Sequence, residues 1–181
     1  MSDLGWRAAP GLGEIHRWTR AELSARAEVR AQLGFLDPEE LGNFYLDISD
    51  LEIRLREFIK ERIGKGWFKR ITNEIPTIVN SWEEKRLRDK RWGIDHEDEQ
   101  ISYADLGDYV QIIRQYKNMF SDSDEDLAEI ITWLKIWYNH GRNPIMHART
   151  LNREKYFTTR SAIKFLDEWM RRKKSARLVS S

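Results

Sequence analysis

The chain has 181 residues, 40 % hydrophobic and 34 % charged, with a formal net charge of +1, which fits one domain of ordinary size and gives no overall electrostatic attraction to nucleic acid. Because it contains no Cys, disulfides, thiolate metal sites and cysteine nucleophiles are excluded. It has no apolar run of membrane-spanning length and no signal-peptide core near its start, so we expect a cytoplasmic protein with no membrane partner.

Residues 1–36 are predicted to form an appendage to the main domain. Three Gly and one Pro over positions 1–13 predict a flexible lead. Residues 14–34 predict a helix, because small apolar residues recur there at every fourth position: Ala21, Ala25, Val29 and Leu33. A stripe this small suits a peripheral helix or one that contacts a partner.

A strong helix start follows at Asp37-Pro38-Glu39-Glu40, residues 37–40. It offers an N-cap, a Pro at the first helical position and a Glu three residues after the cap. The helix is predicted to run to about Ile63 and to end at Gly64 and Gly66. One apolar stripe at steps of three and four predicts its buried face: Leu41, Phe44, Tyr45, Ile48, Leu51, Leu55, Phe58, Ile59 and Ile63.

Apolar residues at helical spacing predict further helices over 77–92, 102–120 and 124–140, and a last helix that ends in "SAIKFLDEWMRRKK". The basic block "EEKRLRDKRW" and the acidic block "DHEDEQ" are most simply explained as a solvated helix face and a loop. No alternating apolar run exceeds four residues. The sequence therefore predicts an all-α fold, an up-and-down bundle of four to five helices over 37–175 with a disordered tail over 176–181.

The segment "NHGRNPIMHARTLN" is predicted to be a turn between two helices. Gly141 suits the left-handed position just past a helix end, and Asn143-Pro144 suits the N-cap and first position of the next helix. Arg142 and His147 would then meet across the first turn, as the two members of a hydrophobic staple do. Asn143 shares a helix face with His147. All three side chains are thus predicted to converge at a helix N-terminus, which favours an anion.

An Arg, a His and a helix N-terminus suit metal-independent chemistry on a phosphate. Arg142 would hold a phosphate in bidentate fashion, and His147 would take up or return a proton near neutral pH. On RNA, the 2′-hydroxyl would attack the adjacent phosphodiester while Arg142 stabilises the developing charge and Asn143 orients the phosphate or the imidazole. Arg91 and His96 have the same spacing, but they are not favoured because no helix start surrounds them.

The motif "RNPIMHAR", after a helix that ends in "LKIWYNHG", resembles the Arg-Asn-x-x-x-His signature of HEPN domains. "YLDISDLEIRLREFIKERI" resembles the first long helix of HEPN domains at the C-terminus of transcription-linked RNA endonucleases, and "YADLGDYVQII" is similar to their middle. The resemblance covers about residues 37–173. It implies an all-α bundle that dimerises around one composite cleft and a metal-independent endoribonuclease. It also implies a role as a toxin, in anti-phage defence or in RNA processing. By position, it implies Arg142 and His147 as the catalytic pair, with Asn143 beside them.

The sequence leaves two questions open: whether residues that flank the motif contact RNA, and whether the protein is an enzyme. His140, Arg149, Arg153 and Lys155 are candidates for RNA contacts, although helix-end electrostatics or a solvated face explain them equally well. A metal site at His140 and His147 is not expected, because no carboxylate or Cys accompanies them at useful spacing, and no cofactor is predicted. The alternative is a non-catalytic HEPN interaction module that binds nucleotide, RNA or a partner protein such as an antitoxin or a larger effector. The motif itself would then be a plain capped turn.

Overall fold

The computed structural model of this chain describes residues 34–93, 99–147 and 151–179, with the backbone alone over 176–179, and a few residues between 22 and 29. These residues are mostly helical, and the predicted all-α class is confirmed. In the predicted helix over 14–34, Ala25 and Val29 are helical and exposed. The predicted lead over 1–13, most of the predicted helix over 14–34 and the end of the predicted tail lie outside the described residues. No helix in the described part of the chain is long and apolar enough to cross a bilayer.

The described helices follow one another along the chain as α1 to α8, with one 3₁₀ turn and one π-helical stretch between them. Their bounds are α1 Pro38–Ile63, α2 Trp67–Glu74, α3 Pro76–Arg91, the 3₁₀ turn Gln100–Tyr103, α4 Leu106–Gln115, α5 Lys117–Phe120, α6 Asp124–Ile136, the π-helical stretch Trp137–Arg142, α7 Asn143–Met146 and α8 Arg153–Val179.

Helix α1 begins and ends where the sequence predicts. The Asp37 carboxylate accepts a hydrogen bond from the Glu40 N–H at 2.8 Å, and the Glu40 carboxylate accepts one from the Asp37 N–H at 3.1 Å. This reciprocal capping box satisfies two backbone donors that a helix start otherwise leaves free. Gly64, with φ of 87°, ends the helix in a conformation that favours glycine. Of the predicted buried stripe, Tyr45 is an exception, since 45 % of it is exposed.

Two segments differ from the prediction. Residues 67–74 form α2, for which the sequence analysis named no helix. The predicted helix over 102–120 is divided, because Asp105 caps a new start and Tyr116 leaves the helical conformation. The residues just before Asp105 instead form the 3₁₀ turn, which Ile101 anchors in the core.

Helices α1 and α8 lie side by side and run in the same direction. Each ion pair between them joins residues 113 positions apart, and the pairs recur at steps of seven: Glu40–Arg153, Asp47–Arg160, Arg54–Asp167 and Glu61–Lys174. We call these four pairs the ion-pair ladder. The constant offset shows that a residue of α1 lies level with the residue 113 positions later in α8. A contact repeat of seven is typical of coiled coils.

Helix α6 and the π-helical stretch run antiparallel to α8. Trp133 in α6 stacks on Phe165 with ring centroids 5.2 Å apart, and Gly141, later in the same run of helix, packs against Thr159, which lies nearer the start of α8. Since α1 is parallel to α8, the π-helical stretch is also antiparallel to α1. This arrangement places the motif segment against the middle of α1.

Candidate functional site

The helix does not stop at Gly141. Helix α6 passes directly into the π-helical stretch and then into α7. Arg142 and Asn143 both have right-handed helical backbone angles, with φ of −58° and −65°. The predicted helix stop at Gly141 and the predicted start at Asn143 are therefore wrong. The free helix N-terminus that we expected to attract an anion at Asn143 does not form.

The next helix is capped further along the chain, at Asn152. The Asn152 side-chain oxygen accepts a hydrogen bond from the Lys155 N–H at 3.0 Å. An isolated β-bridge also joins Asn152 to Phe35. The segment therefore does contain a helix cap, but it is the third Asn of the segment, Asn152, and not Asn143.

Gly141 is required by close packing rather than by a left-handed backbone. It is buried, and a Cβ atom placed on it would lie 2.4 Å from Thr159 Cγ2 and 3.1 Å from Ile48 Cδ1. Only a residue without a side chain lets the π-helical stretch approach both α1 and α8 this closely. A π-helical stretch is itself uncommon and is found frequently at functional sites.

The continuous helix changes how Arg142 and His147 are related. Five residues at about 100° each place them about 140° apart around α7. No hydrogen bond joins their side chains among the described residues. The staple arrangement predicted for Arg142 and His147 required a helix start at Asn143, and that start is not present. Asn143 and His147 are one turn apart on the same face, and the His147 N–H donates to the Asn143 carbonyl at 3.2 Å.

The Arg142 guanidinium is held from two sides. Its Nε donates to Glu52 Oε2 in α1 at 3.3 Å, and its Nη1 donates to the Tyr138 hydroxyl at 3.4 Å. The guanidinium carbon also lies 5.2 Å from the centroid of the Tyr138 ring, a cation–π distance. Within the described residues no acceptor binds Nη2, and the side chain remains 21 % exposed. One edge of a fixed guanidinium is thus open to a ligand.

Glu52 is shared by two arginines. Its Oε1 accepts a hydrogen bond from Arg56 Nη2 at 2.8 Å and one from the Tyr109 hydroxyl at 3.4 Å, while Arg56 Nε donates to the Tyr109 oxygen at 3.0 Å. With two guanidinium groups and one carboxylate, this cluster carries a formal charge of +1. We call Glu52, Arg56, Tyr109 and Arg142 the α1 cluster.

Burial shapes the protonation of the α1 cluster. It strongly raises the pKa of the Tyr109 hydroxyl, which therefore stays a neutral donor to Glu52. Burial alone would lower the pKa of Arg56, but Tyr109 and Glu52 together favour the charged form, and the pKa is raised above its ordinary value. Arg56 therefore keeps its positive charge near neutral pH.

Glu52 and Arg56 were not predicted as site residues from the sequence. The available signal was a Glu and an Arg four residues apart beside the apolar stripe of α1, which is a stabilising helical pair in its own right. That spacing does not reveal a third partner 90 residues later in the chain.

The remaining predicted site residues differ in their exposure and in their partners. His147 is exposed, Asn143 is half-buried, and His140 is half-buried with an Nδ1 atom that has no partner in the described part of the chain. Arg153 belongs to the ion-pair ladder, where it binds both oxygens of Glu40. Lys155 is exposed on α8, and Arg149 lies outside the described residues. No group of three or more His, Asp or Glu in the described ranges is arranged to hold a metal ion.

Comparisons of this chain with protein-family models, with curated proteins and with solved structures found no match.

Proposed function

We propose that the chain is a metal-independent endoribonuclease of HEPN type, with Arg142 and His147 as its catalytic residues. The observation that supports this most is the fixed Arg142, which has Nε and Nη1 bound to protein groups and Nη2 left open. A guanidinium held in this way is suited to a phosphate, since little further ordering is needed on binding. The resemblance of the sequence motif supplies the reaction class.

The proposed reaction needs one base, one acid and a positive charge. The 2′-oxygen attacks phosphorus and loses its proton to a base, the bond from phosphorus to the 5′-oxygen breaks, and that oxygen takes a proton from an acid. The products are a 2′,3′-cyclic phosphate and a 5′-hydroxyl. His147, which is exposed, acts as base or acid, and Arg142 stabilises the charge on the phosphate oxygens. Asn143, one turn from His147, orients the imidazole or the phosphate.

The proposal includes a homodimer. Arg142 and His147 lie about 140° apart around one helix, so one copy does not present both side chains to the same point. A cleft between two copies resolves this, because each copy then contributes both residues to a shared space. The resemblance to HEPN domains implies the same arrangement, together with a role as a toxin or an anti-phage effector whose partner is an antitoxin or a larger protein.

RNA cleavage in the presence of EDTA tests the function. We expect products that end in a 2′,3′-cyclic phosphate, a solution mass of two copies, and a loss of activity of roughly 100-fold or more in Arg142→Ala and in His147→Ala, as is typical for groups that act in the transition state. Arg54→Ala is the matched control, because Arg54 is also an arginine paired with a carboxylate from another helix but lies in the ion-pair ladder. If both site variants cut as fast as wild type, the assignment of the site is wrong.

The second candidate is a non-catalytic HEPN module that binds nucleotide, RNA or a partner protein. It is favoured by the pairing of Arg142 with Glu52, which lowers the charge that Arg142 offers to a phosphate. No hydrogen bond between the side chains of Arg142 and His147 is found among the described residues either. A purified dimer that cuts no member of a broad RNA panel, yet binds one nucleotide or partner tightly, would support this candidate over the ribonuclease.

A further inference from the structure

Tyr45 stands out among the aromatic residues of α1. The apolar stripe predicts that it is buried, yet 45 % of it is exposed. It precedes Glu52 by seven residues, so the two lie within about 20° of each other around the helix and about 10 Å apart along it. Since Glu52 faces Arg142, Tyr45 lies on the face of α1 that borders the candidate site.

No hydrogen bond, ring contact or cation–π contact is found for Tyr45 within the described residues. The other five tyrosines each have a hydrogen bond, a ring contact or a charged neighbour: Tyr103, Tyr109, Tyr116, Tyr138 and Tyr156. On the same helix face, the neighbours three residues before and four residues after Tyr45 are Gly42 and Ser49. Both are small, and a Cβ atom on Gly42 would meet nothing within 4 Å. Neither of these two residues has a side chain long enough to cover the ring, which agrees with its exposure of 45 %.

The helix register places Tyr45 near Arg142. The offset of 113 between α1 and α8 sets Tyr45 level with Thr158. In the antiparallel segment, Trp133 contacts Phe165 and Gly141 packs against Thr159. Residues 140–142 of that segment therefore lie at about the same height along α8 as Thr158, and hence as Tyr45. Helical side chains lean toward the helix N-terminus, so Arg142 reaches toward Glu52. Tyr45 is left on the side toward His147, which lies about 7.5 Å further along the helix axis.

We propose that Tyr45 is a base-stacking subsite that positions the nucleotide next to the phosphate bound by Arg142. This inference rests on the proposed ribonuclease function and goes beyond it by adding a residue that recognises a base. Every base has a flat face that stacks on an aromatic ring, and such stacking tolerates any sequence. An exposed ring about two helical turns from the carboxylate that fixes Arg142 would offer a stacking contact next to the phosphate contact.

The test compares Tyr45→Ala, Tyr45→Phe and Tyr45→Trp in cleavage of a short RNA of known cut site. Stacking on an aromatic ring is worth about 1–3 kcal/mol per base, so Tyr45→Ala is expected to lower kcat/KM roughly 5- to 150-fold. Phe and Trp keep a ring and are expected to retain most of the activity. Leu46→Ala is the matched control, because Leu46 is also exposed but lies about 100° away around α1.

A second substrate separates stacking from a structural role. An RNA with an abasic nucleotide beside the cut site cannot stack there, so wild type and Tyr45→Ala are expected to cut it at equal rates. If the loss in Tyr45→Ala is the same with the abasic RNA, or if Tyr45→Ala cuts intact RNA as fast as wild type, the subsite is refuted while the ribonuclease stands. If wild type neither cuts nor binds any RNA, both proposals fail.

Discussion

Helix α1 carries charged residues on two faces, and the two faces differ in almost every respect. Toward α8 it forms the ion-pair ladder, in which each pair is separate and about half exposed. Toward the π-helical stretch it forms the α1 cluster, in which one shielded carboxylate serves two guanidinium groups and a buried hydroxyl. The same residue types are thus used once as repeated surface contacts and once as a single shared centre.

The ion-pair ladder and the α1 cluster differ in how easily water reaches their charged groups. Exposed ion pairs contribute about 0–1 kcal/mol each, because water screens them and both side chains lose freedom. In a shielded cluster, removal of one partner leaves a charge that water reaches poorly, and the penalty grows to several kcal/mol. The ladder therefore aligns two helices at small energetic cost, whereas the cluster fixes the one side chain that we propose to bind phosphate.

The largest expected effect is that of Glu52→Gln. It leaves Arg56 and Arg142 without a counter-charge, and we expect it to lower the free energy of unfolding by about 2–3 kcal/mol, somewhat less than for a fully buried pair. Asp47→Asn, which makes the same chemical change in the ladder, is expected to cost no more than about 0.5 kcal/mol. Urea unfolding of both variants measures the contrast. Equal losses would show that the two faces do not differ in the way described.

A second substitution acts on the π-helical stretch, which carries Arg142 of the α1 cluster. Gly141→Ala places a Cβ atom 2.4 Å from Thr159 Cγ2, so the π-helical stretch must move away from α1 and α8. We expect a loss of about 1–3 kcal/mol, as for other overpacked sites. Thermal unfolding checks this, with Thr159→Ser as a partial rescue because it removes Cγ2. Gly42→Ala is the control, since its Cβ meets nothing within 4 Å and alanine favours a helix. A Gly141→Ala protein as stable as wild type would contradict the close approach.

The smallest effect is expected for the ladder. Asp167→Asn removes one exposed pair with Arg54 and is expected to cost about 0.5 kcal/mol or less at low salt. In 1 M NaCl the difference from wild type is expected to vanish, since the screening length falls to about 3 Å. Urea unfolding at the two salt concentrations checks both statements. A loss as large as that expected for Glu52→Gln, persisting in high salt, would place this pair in the same class as the α1 cluster.

Local signals predicted the parts of the fold that local chemistry determines. The capping box at Asp37 and the stop at Gly64 depend on residues within a few positions of each other, and both are confirmed. The same kind of signal failed at Gly141, because a glycine serves a helix end and a close helix contact equally well. Only the position of Thr159, on a different helix, distinguishes the two uses.

Local sequence signals were also insufficient to predict the whole candidate site. The motif indicated Arg142, Asn143 and His147, but the partner that fixes Arg142 comes from α1. An i,i+4 pair of Glu and Arg is common on helix surfaces, so nothing in the sequence of α1 marks Glu52 as different. Tyr45 was assigned to the core for a similar reason, since an aromatic residue at the edge of an apolar stripe satisfies the helical period whether or not another helix covers it.

The long sequence separation between α1 and α8, an offset of 113 in each ladder pair, also determines when the fold can be completed during synthesis. Helix α1 leaves the ribosome with a long apolar stripe and a row of charges whose partners have not yet been made. At about 5–20 residues per second, the matching residues of α8 follow roughly 6–20 s later. Contacts between distant segments form slowly in folding as well. Until then the face of α1 that packs against α8 is uncovered, so chaperones, or a second nascent copy, have access to that face before α8 does.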